Sequence, residues 1–112
     1  MSALTLADLS LPLVALRLLG SEFAHLPAPA VSVSTIVPDL LRLAFHDDFA
    51  GFEAWREALN IDPQDVVHDV QGDGRTWVLE VHGAFAGARL QLIGFARVPA
   101  RQRERSRAEV GP

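Results

Sequence analysis

The sequence predicts an α+β fold: a two-layer sandwich in which two helices cover one antiparallel sheet of about five strands, in the order α-β-β-α-β-β-β. Three observations lead there. Residues 11–25 and 49–59 carry apolar side chains at helical spacing, and five other stretches carry them at period two. The strands are joined mostly by short turns, which only antiparallel neighbours can use. The chain has 112 residues, 49% of them hydrophobic and 21% charged, enough for one core without disulfides or a structural metal.

The first helix is expected over residues 11–25, with Ser10 as its cap, Pro12 in its first turn and Pro27 and Pro29 beyond its end. Its apolar side chains, from Leu9, Leu11 and Leu13 through Leu18, Leu19 and Phe23, spread over an arc of roughly 220°, against about 100° for a helix with one buried face. Part of that surface must be covered by the N-terminal residues or by another chain.

Val31, Val33 and Thr35 alternate with Ser32 and Ser34, which predicts a strand over residues 31–37. Pro38-Asp39 turns the chain, and Leu41, Leu43 and Phe45 form the second strand of a hairpin. Asp47 or Asp48 caps the second helix, where Phe52, Trp55 and Leu59 share a face and Trp55 points inward. Asp62-Pro63 suggests a short helical turn. Three strands follow, with turns at Gln71-Gly72-Asp73-Gly74 and Ala86-Gly87. Trp77, Leu79 and Val81 alternate with Val78, Glu80 and His82, with Trp77 expected inside. The last strand is apolar on both faces, Leu90 and Leu92 on one and Ile93 and Phe95 on the other, as a central or interface strand would be.

Residues 1–97 are expected to form the single domain and residues 98–112 a disordered basic tail. The net charge is −4 and there is no lysine, an arginine bias that fits a GC-rich genome. Residues 1–96 hold five arginines against twelve acids, net −7, and residues 97–112 hold five against two, net +3. There are no cysteines, which excludes a disulfide framework, a zinc knuckle and a thiol nucleophile. Ala28-Pro29-Ala30 has the form of a cleavage site. However, the apolar stretch ahead of it is preceded by Asp8 instead of a positive region and is broken by Arg17, so an unexported, cytoplasmic protein is expected, with no membrane partner.

Few residues carry chemistry. Glu80 and His82 leave the same face of one strand and are the one pair suited to acid–base work or to a polar ligand site, with Arg75 or Arg89 as an anion clamp. The other histidines have no metal-ligand spacing, and His46-Asp47-Asp48 reads as helix capping. No catalytic residue, metal ligand or cofactor site is assigned. The glycine-bearing turns lie between strands and do not open a helix, so they are not phosphate loops. Arg101, Arg103, Arg105 and Arg107 could neutralise phosphates, but the acidic domain ahead of them opposes a nucleic-acid partner.

Residues 31–35, Phe45-His46-Asp47-Asp48 and residues 52–59 resemble segments of small proteins from actinobacteria and their mobile elements. The resemblance implies a bacterial accessory or regulatory role and carries over no functional residue.

The leading expectation is a non-enzymatic interaction or regulatory module. It would pair with a second copy of itself and bind another protein, using Leu11, Leu18, Leu19, Ile93 and Phe95 as interface residues. One alternative is a small-molecule-binding domain or minor enzyme, its pocket between sheet and helices lined by Glu80, His82 and the inward aromatics. The other is a nucleic-acid accessory protein that uses the arginine tail.

Overall fold

The computed structural model describes residues 3–97. A 3-10 turn, Leu6–Leu9, leads directly into α1, Ser10–Glu22; β1 is Ala30–Val33 and β2 is Leu40–His46. After α2, Phe49–Ala58, and a second 3-10 turn, Pro63–Asp65, come β3 (Val67–Val70), β4 (Thr76–Phe85) and β5 (Ala88–Arg97). The chain is thus α+β, with two helices and five strands in the expected order; the second 3-10 turn is the one suggested by Asp62-Pro63, and the first is an addition.

The expectation of a purely antiparallel sheet is corrected. The strand order is β1-β2-β5-β4-β3, and β2 and β5 at its centre run parallel. Every strand pair joined by a short turn is antiparallel, as expected: β1 with β2, β3 with β4, and β4 with β5. The parallel pair is the one whose members are far apart in the chain. α2, β3 and β4 lie between them, which supplies the long crossover that a parallel neighbour requires.

Both helices contribute to one core on one face of the sheet. Leu41, Leu43 and Phe45 of β2, Leu90 and Leu92 of β5 and Val81 of β4 meet Ala15 and Leu19 of α1 and Phe52 and Trp55 of α2. β5 is the middle strand, which accounts for its apolar residues on both faces. The edge strand β3 is exposed along its length.

Local chemistry sets the element ends. Asp48 caps α2, its carboxylate accepting from the Gly51 N–H at 2.9 Å, and Asp62 caps the second 3-10 turn through the Gln64 N–H at 2.8 Å. Ser10 is not a cap. The chain starts to coil earlier, where the Thr5 N–H donates to the Asp8 carboxylate at 2.7 Å, so α1 continues a turn already formed. α1 also stops at Glu22, short of residue 25, and the chain turns back through a Leu26 N–H bond to the Phe23 carbonyl. β1 is shorter than expected, because the Ser34 hydroxyl accepts from the Ile36 N–H at 3.0 Å and bends the chain out of the sheet.

Trp55 is buried as expected, and its indole N–H donates to the Pro27 carbonyl at 2.7 Å, tying the connector after α1 to α2. Phe23 stands between Trp55 and Phe85, its ring centroid 6.0 Å from the first and 6.3 Å from the second. No helix among the described residues is long and apolar enough to cross a membrane.

Candidate functional site

Three surfaces remain once the core is accounted for: the outer flank of α1, the open face of the sheet, and a cleft at the β3–β4 end.

α1 turns Pro12, Ala15 and Leu19 into the core. At 100° per residue, Leu11, Val14 and Leu18 fall together on the flank beside that buried face. They are 46%, 49% and 39% exposed. Leu4 and Leu6, on the segment just ahead of the helix, are exposed as well. Residues 3–9 therefore leave this flank uncovered. Val14 was not singled out from the sequence, although its position three residues after Leu11 and four before Leu18 is the signal that places it.

Two of the five expected interface residues are corrected. Leu19 is 1% exposed because it faces the sheet, one helical step around from Leu18. Ile93 does lie on the open face, but it is 6% exposed. Ala44 and Glu80 stand opposite it on the neighbouring strands, and Gln91 and Phe95 flank it on its own. Phe95 is half-buried, its ring stacked on His46 with centroids 5.3 Å apart and planes 11° apart. Leu11 and Leu18 thus share one surface, and Ile93 and Phe95 belong to another, across the sheet.

The open face carries a row of polar side chains in register: Ser32, Arg42, Gln91 and His82, on four successive strands. Glu80 joins it as expected from the sequence. Its Oε1 lies 3.1 Å from His82 Nε2 and accepts from the Gln91 amide at 2.6 Å. The pair is real, but the pocket expected around it does not form. Glu80 and His82 point away from the helices, whereas Trp77, Leu79 and the aromatic residues of α2 lie on the other face. An open sheet face does not exclude water as acid–base catalysis in a cleft requires. Arg89, one of the two arginines considered as an anion clamp, is already engaged. Its Nε and Nη2 donate to the two oxygens of Asp39 at 2.7 and 2.8 Å. That fork holds the Asp39 carboxyl below its ordinary pKa and raises that of Arg89.

The cleft lies on the helix side of the sheet, beyond the start of α2, and measures about 470 Å³. Its lining includes Phe49, His68, Val70, Trp77 and Leu79. Register explains the grouping, because His68 stands opposite Leu79, and Val70 opposite Trp77. Trp77 is on the expected side of the sheet but only half-buried, since α2 ends its cover at Phe49. No local pattern in the chain marks this cleft, because it depends on how far α2 reaches across the sheet.

Among the described residues no three His, Asp, Glu or Cys side chains are grouped to hold a metal ion. Arg101, Arg103, Arg105 and Arg107 lie outside the described residues. Comparison of the chain with protein-family models, with curated proteins and with solved structures finds no match.

Proposed function

We propose that this protein is a non-enzymatic interaction module of the bacterial cytoplasm, homodimeric, which binds through the exposed flank of α1. The observation that carries this reading is the run of Leu11, Val14 and Leu18 on one flank of a helix whose neighbouring face is the core, with Leu4 and Leu6 exposed just ahead of it. Isolated exposed leucines are ordinary, but a contiguous apolar stripe on a rigid element is the usual mark of a binding surface. A helix is a good carrier for it, since side chains at i, i+3 and i+7 form a ridge that fits the groove of a facing helix. Stable association needs roughly 800 Å² from each partner, so the segment ahead of α1 has to take part alongside the helix. The separation of Glu80 and His82 from the cleft weighs against an enzyme.

The test is a comparison of the wild-type protein with Val14→Asp and Leu18→Asp by native mass spectrometry and sedimentation. The reading expects a wild-type dimer, monomeric variants, and thermal unfolding of the variants close to wild type, because neither side chain is in the core. A wild type that stays monomeric at every concentration rules out self-pairing, and a variant that still dimerises moves the interface away from α1.

A further inference from the structure

The cleft at the β3–β4 end has an aromatic floor and an acidic rim. Phe49 and Trp77 face into it; Asp69 also lines it, but its register with Val78 puts its side chain on the other face of the edge strand. Asp47 and Asp48 immediately precede Phe49, and Asp73 sits in the turn between β3 and β4. Among the described residues, none of these four carboxylates has an arginine within 4.0 Å; the acids so paired are Glu53 and Asp39.

The chain leaves the described fold at this same corner. Ala96 pairs with Trp77 and Arg97 with Thr76, so the last residue of β5 lies next to the strand that carries the indole. On its other side, the Arg97 N–H approaches the Asp47 carboxylate at 3.4 Å, and the Asp47 N–H donates to the Phe95 carbonyl at 2.7 Å. β5 therefore ends between the strand bearing Trp77 and the start of α2, the two walls of the cleft. Fifteen residues follow, among them four arginines and two glutamates. Fully extended they span roughly 50 Å, far more than is needed to double back over the cleft.

We propose that this cleft is the docking site of the chain's own residues 98–112. An arginine of that segment stacks on the Trp77 ring, and the neighbouring arginines face Asp47 and Asp73. Guanidinium groups suit both parts of the site. They are attracted to the face of an indole, and their planar donors match carboxylates. The tether makes the contact intramolecular, so weak individual interactions suffice at the high effective concentration it creates. The bound segment covers the half-buried Trp77 and supplies guanidinium partners to carboxylates that make no close ion pair among the described residues. It also makes the basic tail a cover for the cleft instead of a free arm for phosphates.

The absence of cysteine allows a single-site label on the full chain. A spin label on Ser106→Cys, read in an isotope-labelled protein by nuclear magnetic resonance, reports what the segment approaches. The expected result is loss of the Trp77 indole signal and of the His68 and Val70 amide signals, with those of Val14 on α1 and of Ser32 and His82 on the open face retained. The quadruple variant R101Q/R103Q/R105Q/R107Q should restore the lost signals, as should about 1 M salt, where the Debye length falls to about 3 Å. Uniform broadening, no broadening, or broadening that survives the quadruple substitution overturns the proposal. Broadening that arises only between separate molecules, in a mixture of spin-labelled and isotope-labelled chains, overturns it in favour of a second copy as the occupant.

Discussion

Gly94 lies directly beneath the ring of Phe49: a β-carbon placed on it would come within 3.1 Å of Phe49 Cδ1 and 3.2 Å of Cε1. The absent side chain lets the first residue of α2 settle onto β5, and this contact fixes where the cover of the helix ends and the cleft begins. Gly94→Ala requires the ring to yield by a few tenths of an ångström, and Gly94→Val requires more. The expected loss is about 1–3 kcal/mol, larger for valine, measured by urea unfolding. In a Phe49→Ala background the alanine substitution should cost less, and a double-mutant cycle reads that coupling directly.

The turn between β4 and β5 offers a gain in stability. Ala86 and Gly87 both have positive φ, 51° and 84°, which is the conformation of a two-residue type I′ hairpin turn. Glycine accepts it freely, whereas alanine is strained there. Ala86→Asn supplies the asparagine-glycine pair that this turn favours, and it should raise stability by roughly 0.5–1 kcal/mol. Thermal or urea unfolding checks it. An unchanged or lower midpoint would mean that the strain is relieved elsewhere in the turn.

The Asp39–Arg89 pair should give the protein a small acid-sensitive contribution to stability. The fork to Arg89 lowers the folded-state pKa of Asp39 below the ordinary 3.8. The carboxylate therefore stabilises the fold fully above the unfolded value, and its contribution is lost as pH falls through the lower, folded value. Asp39→Asn should remove this dependence. Unfolding midpoints of variant and wild type should differ near neutral pH and converge as pH drops below 3.8. Both partners are exposed, so added salt should shrink the difference at neutral pH.

Much of the architecture can be read from side-chain spacing. Alternation at Leu41, Leu43 and Phe45, and the two-sided apolar run at Leu90, Leu92 and Ile93, locate β2 and mark β5 as a central or interface strand, because burial leaves a direct mark on composition. Strand direction leaves no such mark. The alternation of β5 suits β2 equally well in either sense, and only the three-dimensional path of α2, β3 and β4 makes the pair parallel. The start of α1 was legible after all, in Thr5-x-x-Asp8 ahead of an apolar run, a capping-box pattern that outranks a lone Ser10. For the candidate surfaces the limit was reach. Spacing put Glu80 beside His82, but whether a helix covers Trp77 or leaves it half-open depends on where α2 ends across the sheet, and no local pattern encodes that.

The parallel seam between β2 and β5 also governs how the chain must assemble. Each of its residue pairs, such as Leu41 with Leu90, joins positions 49 apart, while the other strand pairs close through nearby turns. Two short-range pieces, the β1–β2 hairpin and the β3–β4–β5 meander, can form early, but each has only one side of the core. They become one protein when the seam closes, and the entropy of that long loop has to be met before Leu41, Leu43, Leu90 and Leu92 are buried together. The slow event in folding is therefore the meeting of two halves, and until it occurs the middle of the sheet is two unprotected edges.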